Sequence, residues 1–236
     1  MKLIDPHTPR NTDLKPYIMR VAYEGWFAKY SSYPLIFFIA LASFFTIYLA
    51  RLRQEEFVLF TSGLVNMGSE IITIFCFQIL LGFLYMKISL IITVFLAGLI
   101  PGILFGQRYK GNISLKLVIS DGLLVVLLIM FSGLLITFSQ GLNELIFYSF
   151  AFLISGLCGF QFPLVAGAHG GGNMIAARAF SVDLVGAALG IVLLSALIIP
   201  FFGIIVACAV LIVIKLASII ILLSHGKDHP EDIPLF

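Results

Sequence analysis

The sequence has few charged residues and few of the side chains on which catalysis depends. Of its 236 residues, 11% are charged and 61% are hydrophobic, and the formal net charge is +2. A charge this small, carried by scattered basic residues, argues against a nucleic-acid partner. The three cysteines show no CxxC or zinc-type spacing, so we expect buried, inert thiols and no metal site.

Histidine is absent from every long apolar run, and the common nucleotide and nucleophile motifs are missing as well. His7, His225 and His229 lie in the tails, and His169 lies in a glycine-rich connector. A membrane cytochrome needs axial ligands on facing helices, which this distribution does not supply. The string from His169 to Gly172 copies an esterase oxyanion motif, but no GxSxG, P-loop or strand-borne GxGxxG accompanies it. We therefore expect no cofactor and no catalytic residues.

What the sequence has in abundance is long apolar runs. Two of them, 57–83 and 88–106, exceed the roughly 18 apolar residues that cross a bilayer as a helix. Backbone amides in lipid must be satisfied within the segment, and these runs lack the alternation of barrel strands. We predict an all-α polytopic membrane protein of about seven transmembrane helices. They are drawn at 34–50, 57–83, 88–106, 117–138, 145–166, 183–200 and 203–223.

The rest of the chain is short and is not expected to form a second domain. Residues 1–32 are predicted as an N-terminal tail with an interfacial helix from Pro16 to Tyr30, where aromatic and basic residues mix. This tail has no apolar h-region and does not read as a cleavable signal. Residues 33–224 are the membrane domain and 225–236 a short C-terminal tail. We expect a bacterial inner-membrane protein with the lipid bilayer as its first partner.

Basic residues collect on one side of the predicted spans. That side carries Arg51, Arg53, Arg108, Lys110, Lys116, Arg178 and Lys227, and the other side carries Lys87. The positive-inside rule makes the first side cytoplasmic. Seven spans then place the N-terminal tail outside, although it carries five Lys and Arg residues. Either the tail is tolerated there or the first run does not span, and we favour seven spans.

Glycine spacing predicts close helix packing in two spans. Gly98, Gly102 and Gly106 form GxxxGxxxG in the third span, and Gly186 and Gly190 repeat the spacing in the sixth. Glycines four residues apart let a neighbouring backbone approach, which is a main route to helix association in lipid. The alternative is that these stripes are sliding surfaces in a transporter.

One connector is unusual. Residues 167–182 are glycine-rich at first and then short-helical, with Asn173 as the predicted N-cap. A segment of this kind at membrane depth must line a cavity or lie against protein, because its backbone needs partners. Otherwise it is an interfacial loop, which is the interpretation we favour.

The first candidate site lies in the second span. Glu70 is near the middle of this span, one helical turn after Asn66 and two turns before Gln78, so that the three share roughly one face. A carboxylate in mid-membrane is costly unless it is paired, protonated or wetted, so a role in binding a ligand, ion or proton is the default hypothesis. The alternative is a structural hydrogen bond to a neighbouring helix.

Two more charged residues are candidates for the same site. Asp183 begins the sixth predicted span and is expected either to cap that helix or to face a cavity. Lys215 lies inside the seventh span, where it can snorkel to the cytoplasmic surface or pair with Glu70. Asp121 and Glu144 lie near span ends and are expected at the interface.

Two stretches carry a combined pattern. Residues 62–109 combine the intramembrane Glu70 with FQ, G-x-x-Y and F-x-x-G-x-x-x-G, and residues 177–204 combine A-x-x-F-x-x-D-L-x-G-A-x-x-G with a later IP-x-x-G. Together they resemble the membrane portion of spermidine synthase-like membrane proteins. Phe180 stands where that family usually has Tyr. Family members commonly attach a soluble aminopropyltransferase domain, and the short stretch after the last span does not supply one. The resemblance therefore implies a stand-alone membrane module without synthase activity.

Two functional hypotheses follow. The first is a non-catalytic membrane subunit that anchors or completes a larger assembly with protein partners. The second is binding or transport of a small cationic solute, which the family resemblance makes a polyamine. In the second, Glu70 and Asp183 are counter-charges, and Asn66 and Gln78 are polar lining. An embedded enzyme has the least support, because no nucleophile–base pair is visible.

Overall fold

The computed structural model describes residues 33–82, 84–109, 111–137, 143–168 and 173–225, with six helical positions of the tail (21, 22, 24, 25, 28 and 29). We number its helices α1 (Tyr33–Leu49), α2 (Gln54–Leu81), α3 (Leu84–Arg108), α4 (Ile113–Thr137), α5 (Glu144–Ala168), α6 (from Asn173) and α7 (Ile204–His225). Helix α6 runs as Asn173–Val192, a π-helical stretch at Leu193–Ile198 and a last turn at Ile199–Phe202. No strand occurs in the described part of the chain.

Helices α2 to α7 are each long and apolar enough to cross a membrane. The prediction of an all-α, multi-pass membrane protein is therefore confirmed, with observed bounds within four residues of the predicted spans for α2, α3, α4, α5 and α7. Helix α1 has 17 residues, or roughly 25 Å, which is short of the ~30 Å hydrocarbon core. It contacts the bundle through Phe45 and Tyr48, whose ring centroids lie 6.4 and 6.3 Å from that of Phe60.

The sixth span differs from its prediction at its N-terminal end. The helix begins at Asn173, ten residues before the predicted start at 183. Polar residues such as Arg178 and Asp183 lower the hydropathy of this segment, yet its alanines and methionine favour a helix. The second half of the connector is helical, as predicted, but it is continuous with the sixth span instead of forming a short helix or an interfacial loop. The predicted interfacial helix lies largely outside the described residues, as do residues 169–172 and 226–236.

Helices α2, α6 and α7 pack together and are called the first group. Helix α6 lies against α2 at van der Waals limits: a Cβ on Gly186 would lie 2.0 Å from the carbonyl oxygen of Phe60, and one on Gly190 would lie 2.5 Å from that of Leu64. Arg178 near the start of α6 forms an ion pair with Glu56 in the first turn of α2, with Nη2 3.0 Å from Oε2. Only glycine allows the two backbones to come this close.

Helices α3, α4 and α5 form the second group. A Cβ on Gly98 would lie 2.5 Å from the carbonyl oxygen of Phe152, and one on Gly102 would lie 2.1 Å from that of Gly156. Gly106 continues the same line of contact. Lys87 near the start of α3 pairs with Glu144, which is the first residue of α5 and lies at a span end as expected. The two groups meet extensively, where α2 packs on α5 and where α4 packs on α7, and this second contact is larger than that of α4 with α5 in its own group.

Candidate functional site

A buried ion pair joins the two groups inside the bundle. The Lys215 Nζ of α7 lies 2.7 Å from the Asp121 Oδ1 of α4, and both side chains are 0% exposed. Asp121 is eight residues, or roughly 12 Å, inside the start of α4. Lys215 is ten residues from the end of α7. The pair therefore lies at membrane depth, away from either water interface.

Five further side chains complete the pair, and we call the whole set the polar cluster: Thr61, Ser62, Ser120, Asp121, Gln161, Lys215 and Ser218. Lys215 donates to the hydroxyl oxygens of Ser62 at 2.7 Å and of Thr61 at 3.3 Å. Asp121 accepts from Gln161 Nε2 at Oδ1 and from the Ser218 hydroxyl at Oδ2, both at 2.7 Å.

Gln161 ties the remaining members of the polar cluster together. Its Nε2 also donates to the Ser120 hydroxyl oxygen at 3.0 Å, and its Oε1 accepts from the Ser62 hydroxyl. Every charged or polar group of the cluster therefore has a partner, which a buried ion pair requires if it is to be stable in a low-dielectric interior.

The ion pair corrects two expectations. The predicted pairing of Lys215 with Glu70 is wrong, because Lys215 contacts α2 at Thr61 and Ser62, about two turns before Glu70. The expected interfacial position of Asp121 is wrong too, since its side chain is fully buried. Helix α4 begins four residues earlier than predicted, which moves Asp121 inward from the membrane edge.

A cavity of about 170 Å³ lies beside the polar cluster, between the two groups, and we call it the interface cavity. Its polar lining is Asn66 of α2 and Asp183 of α6, and its apolar lining is Leu99, Ile103, Cys158, Gly159, Phe162 and Phe180. Asn66 is 92% buried, and its Oδ1 has no hydrogen-bond partner among the described residues.

Asp183 lies well inside α6, and its carboxylate is accommodated there by a glycine on α2. It lies ten residues inside α6 and so does not cap the helix, which corrects one of its two predicted roles. A Cβ on Gly63 would lie 2.8 Å from Asp183 Oδ1, so that only glycine at this position of α2 leaves room for the carboxylate. Asp183 thus faces the interface cavity at roughly 15 Å from the start of α6, about a third of the way along this helix.

The five predicted site residues do not form one site. Asn66 and Asp183 share the interface cavity, whereas Lys215 belongs to the polar cluster next to it. Glu70 is half-buried, with no hydrogen bond or ion pair to the described residues, and Gln78 is exposed near the end of α2. In the described ranges, no three His, Cys, Asp or Glu residues come together as metal ligands.

Sequence reasoning missed most of the polar cluster. Asp121 and Gln161 are polar residues inside predicted spans, which is the signal that singled out Glu70. Asp121 lies only four residues after the predicted start of its span, where a charged residue is expected at the interface. Gln161 carries no charge, and Ser62 and Ser218 are common in membrane helices, so only the contacts between helices reveal them.

No protein-family model, curated protein or solved structure matches this chain. The function is therefore inferred from the geometry of the polar cluster and the interface cavity.

Proposed function

We propose that this protein binds a small organic cation in the interface cavity and carries it across the membrane. The observation behind this proposal is the pair of oxygen acceptors at membrane depth, the Asp183 carboxylate and the unpartnered Asn66 Oδ1. An ionisable residue that faces a cavity inside a membrane bundle commonly marks a substrate or ion path. Sites of this kind lie near the midplane, between packed helical units.

The lining favours an ammonium group over an anion or a neutral solute. Asp183 is the one charged residue among the lining side chains, and the nearby Lys215 is neutralised by Asp121. An ammonium group donates up to three hydrogen bonds, which suits a carboxylate beside an amide oxygen. The rings of Phe162 and Phe180, with centroids 6.4 Å apart, supply apolar and cation–π contact. The resemblance to spermidine synthase-like membrane proteins points to the same class, the polyamines.

Flux of labelled spermidine into proteoliposomes tests the proposal. Asp183→Asn keeps the size of the side chain but removes its charge, and we expect a loss of flux of about tenfold or more, in line with 1.4 kcal/mol for each factor of ten. The matched control is Glu144→Gln, which makes the same chemical change at a half-exposed helix end. Flux that is equal in the original chain and Asp183→Asn would contradict a cation site at Asp183.

A second candidate function is that of a membrane subunit in a larger assembly, and Glu70 favours it. This carboxylate is half-buried in mid-span without a partner among the described residues. A membrane carboxylate is stable when a neighbour compensates it, and a helix of another protein with a basic or hydrogen-bonding side chain would do so. The subunit would then carry no chemistry of its own.

Purification in native lipid discs distinguishes the two candidates. For a subunit, we expect a partner protein to co-purify with the original chain and with Glu144→Gln, and to be lost from Glu70→Gln. A chain that always runs alone argues against the subunit function. If Glu70→Gln instead lowers spermidine flux as Asp183→Asn does, Glu70 belongs to the solute path.

A further inference from the structure

The first three spanning helices and the last three pack in the same pattern. In this pattern α2 corresponds to α5, α3 to α6, and α4 to α7. The α2–α6 contact then corresponds to the α5–α3 contact, and the α2–α7 contact corresponds to the α5–α4 contact. The α2–α5 and α4–α7 contacts map onto themselves. The hairpin contact of α6 with α7 is the exception among the helix pairs that pack closely.

Individual contacts follow the same exchange. Gly98 and Gly102 of α3 face two carbonyls four residues apart on α5, and Gly186 and Gly190 of α6 face two carbonyls four residues apart on α2. An acidic residue in the first turn of α2 pairs with a basic residue near the start of α6. An acidic residue at the start of α5 likewise pairs with a basic residue near the start of α3.

Each repeated unit has three spans, so the second unit enters the membrane from the opposite side to the first. The bundle therefore has the arrangement of an inverted repeat, in which α3 and α6 have exchanged partners. In transporters with inverted repeats, the substrate site lies between the two halves, which move against each other. Here the interface cavity lies between the first group and the second.

The two residues of the ion pair belong to different groups. Lys215 is in the first group, where Ser62 and Thr61 also hold it. Asp121 is in the second group, where Gln161 also holds it. If the groups part, each charge keeps hydrogen bonds within its own group but loses its counter-charge, and an unpaired buried charge is strongly unfavourable. The Ser218–Asp121 and Ser62–Gln161 hydrogen bonds, which also cross between the groups, are lost as well.

We propose that protonation of Asp121 releases the first group from the second and opens the interface cavity. A proton from water adds to a carboxylate oxygen of Asp121 as the Lys215 contact breaks, and it returns to water when the groups close and the ion pair re-forms. The link to transport rests on the proposed function, whereas the opening itself does not. Acidic pH then favours the open arrangement.

Other titratable groups surround the ion pair. Asp183 of α6 and Cys158 of α5 are close enough to interact electrostatically with Lys215. Helix α2 contacts it through the hydroxyls of Thr61 and Ser62, which do not titrate. The other titratable group on α4 near Asp121 is Lys116, whose Nζ lies over the ring of Tyr109, 4.6 Å from its centroid. Among the residues that the structure describes, Asp121 is the acidic group within ion-pair distance of Lys215, so its protonation removes the ionic contact between the groups.

Cys158 reports the opening, because it is 6% exposed and lines the interface cavity. The full chain with Cys76→Ala and Cys208→Ala is placed in lipid nanodiscs, and the rate at which a small methanethiosulfonate reagent modifies Cys158 is measured at neutral and acidic pH. The same rates are measured after adding Asp121→Asn and Lys215→Met together, which removes both charges. Because Lys215 and Asp121 act on the Cys158 thiol in opposite senses, their joint removal largely offsets, and dividing the two rates at each pH removes the pH dependence that both chains share.

We expect Cys158 to react about tenfold or more slowly in the chain with the ion pair than in the chain without it at neutral pH, since the pair holds the groups closed. The ratio should approach one at acidic pH. A ratio that is the same at both pH values overturns the proposal. Ser218→Ala is the second variant, because it removes one hydrogen bond to Asp121 and should shift the opening to higher pH; an unshifted profile also overturns the proposal.

This readout uses no solute, so it separates the two proposals. Cys158 labelling that depends on the ion pair, together with unchanged spermidine flux in Asp183→Asn, would leave the opening in place and refute cation transport. Labelling that does not depend on pH, together with loss of spermidine flux in Asp183→Asn, would refute the opening and support cation transport.

Discussion

Removing either charge of the buried ion pair is expected to cost far more stability than removing both. Lys215→Met leaves Asp121 as a buried anion without its cation, and Asp121→Asn leaves Lys215 as an unpaired cation. Breaking a buried pair in this way costs about 3–5 kcal/mol, whereas replacing both members is often nearly neutral. Asparagine at 121 also keeps an acceptor for Gln161, so the double variant loses little more than the charges.

Equilibrium unfolding in mixed micelles, followed by helical circular dichroism, measures the free energies of the two single variants and the double variant. Losses that simply add in the double variant would contradict a direct interaction, because a double-mutant cycle isolates the coupling between two residues. The control is the pair Lys87–Glu144, whose side chains are 30% and 35% exposed. A surface pair contributes about 0–1 kcal/mol, so its variants should differ little from the original chain.

The helical membrane fold was predictable from the sequence because lipid allows few alternatives. A run such as 88–106 has to be a helix once barrel strands are excluded, and the structure places α3 at Leu84–Arg108. The start of α6 was predictable only in part, because the sequence indicated a short helix after Asn173 but not its continuity with the sixth span. Its first turns carry Arg178, which the ion pair with Glu56 compensates, and hydropathy along the chain does not record that contact.

The candidate site was predictable only in part, for a related reason. An acidic residue far inside an apolar run stands out, so Glu70 was identified, and Asp183 was identified as the acidic residue that begins the sixth predicted span. The ion pair joins residues 94 positions apart, and its identification depends on knowing that α4 packs against α7. The sequence offered Glu70 as the partner of Lys215 and placed Asp121 at the interface, because the position of each residue along its helix was not known.

The glycine pattern shows the same division between what a sequence does and does not reveal. The spacing of Gly186 and Gly190 predicted a close helix contact, but it did not identify the partner. In the structure that partner is α2, whose carbonyl oxygens would lie 2.0 and 2.5 Å from a Cβ at these two positions. Glycines four residues apart mark the side of a helix that can be approached closely. The partner side consists of backbone carbonyls, which any residue supplies, so the sequence does not mark it.

Gly186→Ala is expected to be among the most damaging single substitutions in this chain. Its new methyl group would lie 2.0 Å from the carbonyl oxygen of Phe60, so α2 and α6 have to move apart. Overpacking costs about 1–3 kcal/mol and sometimes more. The matched control is Gly133→Ala on α4, where no atom of a neighbouring helix lies within 4 Å of the new methyl group. That change should be neutral, or should stabilise the helix by up to about 1 kcal/mol.

The same unfolding measurement tests the inverted repeat when Gly98→Ala is added. Gly98 of α3 corresponds to Gly186 of α6, and its Cβ would also be too close to a backbone carbonyl, 2.5 Å from that of Phe152. The two substitutions should therefore destabilise the bundle similarly, although they change different helices that pack on different partners. A loss at Gly186 with none at Gly98 would mean that the two glycine contacts are not equivalent, because only one of them would then hold its helix pair together.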